Sequence, residues 1–298
     1  MKPVTILILA ALAACSSKNP GSYTTATAAA AADVDPDDAL ERADALWAER
    51  VEPDKLKASL DAYAQVVAAD PTHRRALQRL ARGWYFYGDA HTTDKDVAIE
   101  RWGQAVTYGK QCLALNKDFA SRVTGGEKEK DAVSSTVKDD VPCLYWTASA
   151  IGKWARAQGI AKALGNLPTV KAYIGRAEEL DPTYFYYGPA RYWGAYYAVL
   201  PSFAGQDLGK SAEYFDASIK GAPAYLATRG LRAENLAVKT QDLKLFLDDI
   251  QYILDFDVSA EPALTPENTL EKKRAEALLA KKGELFDKKT LEAYESAQ

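Results

Sequence analysis

The chain has 298 residues, of which 48% are hydrophobic and 26% charged, with a formal net charge of -4. Lys and Arg are scattered among Asp and Glu, so no basic stripe follows a phosphate backbone and nucleic acid is excluded as a partner. Two histidines and three cysteines leave metal and thiol chemistry few residues to draw on.

At the N-terminus Lys2 precedes an apolar run from Val4 to Leu12, followed by Ala13, Ala14 and Cys15. The run is too short to span a bilayer and reads as a signal peptide over residues 1–14. Small residues before Cys15 admit a peptidase, and Leu-Ala-Ala-Cys matches a lipoprotein box. Cys15 is therefore expected to carry lipid as the first residue of the mature protein, the alternative being an ordinary signal peptide with a chance cysteine. Residues 15–36, rich in Ser, Thr, Ala and Gly, have no periodic apolar face and are expected to form a flexible linker. Lipid would then be the sole membrane contact and would place the body at the periplasmic face of the envelope. Ser at position 16 favours the outer membrane.

From residue 37 onward Ala, Leu, Lys and Glu recur at helical spacing and alternating β-branched runs are scarce, so the fold is expected to be all-α. One domain is expected over 37–286, with a tail at 287–298. Breakers punctuate it at Asp35-Pro36, Pro53, Asp70-Pro71, Asn116-Lys117, Asn166 to Pro168, Asp181-Pro182, Ala222-Pro223, Glu261-Pro262 and Thr265-Pro266.

Alternate helices share a pattern: a small or β-branched residue, an aromatic or apolar residue four later, a further small or apolar residue three after that, then Pro. It occurs as Ser59, Tyr63, Val66, Pro71; as Val170, Ile174, Ala177, Pro182; and as Ser211, Phe215, Ser218, Pro223, while Ala98, Trp102 and Ala105 begin a fourth copy. The preceding helices echo one another in Ala45/Trp47, Gly83/Tyr85, Gly152/Trp154 and Gly194/Tyr196. The pattern predicts an irregular solenoid of antiparallel helix pairs similar to tetratricopeptide repeats, with terminators spaced more widely than the usual period of about 34 residues. The longest insertion is Ala120 to Asp140, where Gly125-Gly126 marks a turn.

Cys112 lies one turn before the end of a long helix and Cys143 near the start of the next. In an antiparallel array those ends are neighbours, so a disulfide across the base of the insertion is expected, the alternative being two separate buried thiols. His73 and His91 sit at a helix start and in a polar loop without ligand-spaced partners, and read as surface residues rather than a metal site. Asp139-Asp140 and Asp248-Asp249 are adjacent on a helix and so face different directions, which suits solvent better than paired acid/base work. No metal, cofactor or catalytic residue is expected.

Aromatic density stands out from Tyr184 to Tyr197. Tyr192 and Tyr196 share one helical face and Trp193 and Tyr197 the next, so this helix must meet something on two sides. One reading is packing between neighbouring helix pairs. The other is a ligand cleft lined by Trp84, Tyr85, Trp146, Trp154, Tyr192 and Tyr196, with Arg191 as polar anchor.

The lipobox and irregular repeats accompany Cys143-Leu144-Tyr145-Trp146-Thr147-Ala148, Gly152-Lys153-Trp154 and Leu200-Pro201-Ser202-Phe203-Ala204-Gly205-Gln206-Asp207. Near the end stand Glu267-Asn268, Arg274-Ala275 and Leu278-Leu279. Over most of residues 37–286 the chain resembles the TRAP transporter T component (TatT) family of periplasmic tetratricopeptide lipoproteins. The resemblance implies a helical body with an apolar channel or cleft, a ring-like homo-oligomer, and docking of a periplasmic solute-binding protein. It departs from the family where Ala204-Gly205 replaces an expected Gly-Gly; a single Gly still supplies a positive φ. Two functions follow: a tethered transport accessory holding a small, partly apolar ligand, or a purely structural envelope scaffold without one.

Overall fold

The computed structural model describes residues 22–24 and 35–296. The expected signal peptide, Cys15 and most of the expected linker lie outside the described residues. Among the described residues there are helices and no strand. In chain order the helices are α1 (Pro36–Ala48), α2 (Pro53–Ala69), α3 (Arg74–Ala90), α4 (Lys95–Leu113), α5 (Lys117–Thr124), α6 (Glu129–Ala132), α7 (Val141–Ala157) and α8 (Ile160–Leu180). They continue as α9 (Tyr184–Val199), α10 (Leu208–Gly221), α11 (Ala227–Leu231), α12 (Val238–Thr240), α13 (Leu243–Asp255), α14 (Thr265–Ala280), α15 (Lys282–Leu285) and α16 (Lys288–Ser296).

Many of the breakers act as caps. The Asp35 carboxylate accepts from the Asp37 amide at 2.9 Å with Pro36 at the first helical position, Asn116 accepts from the Phe119 amide at 3.1 Å, and Asp207 accepts from the Lys210 amide at 3.0 Å. Each satisfies an amide that the first turn leaves without an intrahelical acceptor. The exception is Asn166 to Pro168, where α8 runs on unbroken. Pro168 removes the donor for the Leu164 carbonyl, but that turn borders open space, since Leu164 lines a cleft. The break falls instead at Gly159, whose φ of 117° favours a residue without Cβ.

Helices α1/α2, α3/α4, α7/α8 and α9/α10 pack as pairs, forming an all-α, solenoid-like array. The repeat pattern marks where they touch. Tyr63 and Phe215 are both fully buried, and the serine four residues before each donates to the first helix of its pair: Ser59 to the Ala43 carbonyl at 2.8 Å and Ser211 to the Gly194 carbonyl at 2.7 Å. Phe215 lies so close to α9 that a Cβ at Gly194 would come within 2.8 Å of its ring. Glycine is needed there for approach.

The insertion and the turn of helix leading into it pack onto the body. Phe119, Ala132 and Val133 are buried, and the Asp140 carboxylate, fully buried, receives Arg74 at 2.9 Å, Asn116 at 2.7 Å and the Val137 amide at 3.0 Å. Asp140 thus leaves solvent while its neighbour Asp139 stays exposed. Gly126, with φ of 98°, turns the chain. Cys112 and Cys143 are joined as a disulfide in the structure, with Cα atoms 5.6 Å apart, tying α4 to α7 at the base of the insertion.

A second apolar core lies in the C-terminal helices around Phe246, Ile250, Ile253 and Phe286. Asp249 is buried within this part of the fold, held by Arg229 at 2.8 Å and by Arg232 at 2.7 Å, whereas Asp248 is exposed and pairs with Lys244. Two arginines on one side of the helix make burial of that carboxylate tolerable. Residues expected as a tail form α16, with Leu291 and Tyr294 packed on the second core.

Candidate ligand cleft

Helices α7, α8 and α9 diverge around a cleft of about 640 Å3, within the range of small-molecule sites. Its apolar wall comes from Ile151, Leu164, Leu167, Val170, Tyr196 and Leu200. Tyr85, Tyr145, Lys153, Arg191, Leu231 and Glu234 also border a second chamber of about 370 Å3 that extends toward α3 and α14. Leu231 and Glu234 lie where α11 runs into a π-helical stretch, Arg232–Ala237, a distortion often found at functional sites.

The far wall of the second chamber is charged and locked. Glu267 on α14 receives Arg50 at 2.7 Å and Arg82 at 2.6 Å, and Asp89 on α3 receives Lys153 at 2.6 Å and Arg274 at 2.7 Å. Burial pushes the Asp89 carboxyl up, but the Lys153 and Arg274 charges outweigh it and hold the group well below the usual carboxylate range. Glu271, buried beside Arg274, has its carboxyl raised by burial.

Of the seven residues expected to line a cleft, five do. Tyr85, Arg191, Tyr192 and Tyr196 border the larger chamber, and Trp146 borders the smaller one with Tyr85 and Arg191. Trp84 and Trp154 line neither. Each is sequence-adjacent to a lining residue, and a step of one residue rotates a side chain about 100° around the helix. Trp84 packs against Tyr87, and Trp154 is buried beneath the Lys162 ammonium, 4.8 Å from its ring. The two-sided aromatic helix uses both faces: Tyr192 and Tyr196 face the cleft, while Trp193 donates to Glu178 at 2.8 Å and Tyr197 stacks on Tyr214 with centroids 5.9 Å apart.

Arg191 differs from the free anchor expected. It is buried, and it donates to the Tyr186 carbonyl at 2.9 Å, the Phe185 carbonyl at 3.2 Å and the Tyr145 hydroxyl at 3.0 Å. Those carbonyls belong to a turn in which Phe185, Tyr186 and Tyr187 all have positive φ, at 48°, 57° and 56°. Left-handed backbone costs about 1–2 kcal/mol for each such residue, so a clamp on the turn is required. Stacking of Tyr186 on Tyr225, with centroids 5.3 Å apart, adds a second one. What faces the cleft instead is phenol. Among the described residues the Tyr85 and Tyr192 hydroxyls have no hydrogen-bond partner, and burial raises both well above the ordinary tyrosine pKa, so they remain protonated donors.

Neither histidine is at the cleft. His73 caps α3 by accepting from the Ala76 amide at 3.1 Å. His91 is half-buried against Phe86 and Tyr87 with its Nε2 3.2 Å from the Arg50 carbonyl, less exposed than its polar surroundings in sequence implied.

Asp89, Lys153, Glu267, Glu271 and Arg274 were not assigned to the cleft from the sequence, although Lys153, Glu267 and Arg274 stand among the residues of the family resemblance. A signal existed: Glu267, Glu271 and Arg274 follow i, i+4, i+7 spacing, so α14 presents a charged stripe where an apolar one would ordinarily face a core.

The fold and site together define a helical-repeat body enclosing a ligand-sized cleft, and none of its described helices is long and apolar enough to cross a membrane. The chain belongs to the TRAP transporter T-component family, whose model matches residues 50–286. Among curated proteins none matches it.

Proposed function

We propose that this chain is a lipid-anchored accessory of a TRAP transporter that holds a small, partly apolar ligand in its cleft and exchanges it with a periplasmic solute-binding protein docked at the cleft mouth. Cys15 carries the lipid after cleavage removes residues 1–14, and the chemistry is binding without reaction. The observation that carries this reading is the cleft: an apolar wall of ligand size with unpaired phenol donors, which a purely structural scaffold does not need.

The docking surface is the rim. Ile160 and Val199, which line the mouth, are 54% and 38% exposed, and Phe203, three residues beyond Leu200, is 79% exposed. Exposed apolar side chains on the cleft lining, with Phe203 two residues beyond the lining residue Pro201, suit a protein contact. Co-precipitation from envelope extracts tests it. The protein should retain a TRAP solute-binding protein and Phe203→Asp should lose it with its melting temperature unchanged; equal retention by both would move the contact away from this rim, and no retention by either would leave the structural-scaffold reading instead. Sedimentation of the same samples measures whether copies assemble into the homo-oligomer that the family resemblance implies.

A further inference from the structure

The linker contains a docked residue. Tyr23 is only 7% exposed although it lies within the stretch whose composition suggested a free leash. Its hydroxyl is 2.6 Å from the Tyr173 hydroxyl on α8, and its ring meets Phe119 of α5 edge-on with centroids 5.3 Å apart. The Lys110 ammonium of α4, itself buried and paired with Glu129 of α6 at 3.7 Å, sits 5.0 Å from the ring centroid. Four helices therefore contribute to one socket, α6 from within the insertion that interrupts the repeat pattern and α5 from where the chain enters it. A cation over the ring, an edge-on aromatic partner and a hydroxyl pair select tyrosine over any aliphatic residue.

We propose that this socket is a docking site for the chain's own N-terminal segment, and that seating Tyr23 in it holds the insertion end of the body toward the membrane and the cleft mouth away from it. The orientation rests on the reading of Cys15 as the lipid anchor. With Tyr23 seated, eight residue steps separate anchor and body, a reach of at most about 29 Å; a leash free as far as Asp35 would reach about 70 Å. The mouth lies at the other end of α8: Ile160 opens that helix and lines the cleft, and Tyr173 comes 13 positions later, about 20 Å along the axis. Helix α7 repeats the polarity, with Val141 beside the insertion at its start and Arg156 lining the cleft near its end. The socket thus turns a tether of little directional content into one that presents the rim of Ile160, Val199 and Phe203 to soluble proteins rather than to lipid.

Two measurements on the full chain test this separately from the anchor. In chymotrypsin digestion followed by mass spectrometry, cleavage after Tyr23 should be at least tenfold slower than cleavage after the exposed Phe203, and Tyr173→Phe, which removes the hydroxyl partner, should narrow that gap. Cleavage after Tyr23 as fast as after Phe203 would overturn the docking. In vesicles with acceptor-labelled lipid, a donor dye at Lys117→Cys, by the socket, should transfer energy more efficiently than one at Ser202→Cys, by the mouth, and Tyr23→Ala should reduce the difference at least twofold. Equal transfer from both positions without Tyr23→Ala would overturn the orientation. Absence of transfer from either would overturn the anchor at Cys15, with the chymotrypsin result still deciding whether Tyr23 docks.

Discussion

Arg274 reaches across 185 positions of sequence to donate to the Asp89 carboxylate at 2.7 Å, and to the main-chain carbonyl of the same residue. With Lys153 on the other carboxylate oxygen, this joins α14 to α3 and α7 and closes the second chamber. Asp89→Asn leaves two cations short of a partner, and because both are about 40% exposed the loss should be modest, about 1–3 kcal/mol. The sign of its pH dependence follows from a folded-state pKa below the unfolded one. The contribution is fully present above the ordinary aspartate value of about 3.9 and is lost as pH falls through the lower folded value. Urea melts of the two proteins should therefore differ at pH 7, and the difference should shrink only as pH falls below about 4 toward the lower folded value.

Tyr63→Ala and Phe215→Ala should each cost about 3–5 kcal/mol, since both rings are fully buried. Gly194→Ala should also destabilise, because its Cβ would lie 2.8 Å from the Phe215 ring. In a Phe215→Leu background that penalty should shrink, and a double-mutant cycle by chemical denaturation measures the coupling.

How much of this was legible in the sequence differs from residue to residue. Ser59, Tyr63, Ser211 and Phe215 were readable because contacts between paired helices recur, and recurrence leaves a pattern along the chain. Trp84 and Trp154 were assigned to the cleft because they lie on first helices of their pairs, but helical phase one residue away from Tyr85 and Lys153 sends them elsewhere. The pairing of Arg274 with Asp89 was not legible, since each is an ordinary surface type and only closure of the array brings them together. Tyr23 was hidden by the Ser, Thr and Ala around it, because a single docked side chain has no period.

Arg191→Ala should lower stability by about 3 kcal/mol or more and reduce helix content, because it frees two carbonyls of a left-handed turn that is unfavourable by itself. Arg191→Lys should recover only part of the loss, as one ammonium cannot match the guanidinium fork. Circular dichroism during thermal unfolding reads both.

Thiol titration of the denatured, unreduced mature protein should find no free thiol at Cys112 or Cys143. Replacing both with Ser should destabilise by about 3–4 kcal/mol, the chain-entropy value for a loop of this length, the two cysteines being 31 positions apart.

The central claim is that the cleft between α7, α8 and α9 holds a ligand, and native mass spectrometry of protein isolated from its own cells tests it most directly. Ala195 and Ala163 line the cleft, so Ala195→Trp and Ala163→Trp fill it without touching the charged wall of the second chamber. Wild type should carry a bound small molecule, released on denaturation, that both variants lack while melting within a few degrees of wild type. A wild-type mass that is the same before and after denaturation, or the same adduct on both tryptophan variants, would contradict the account.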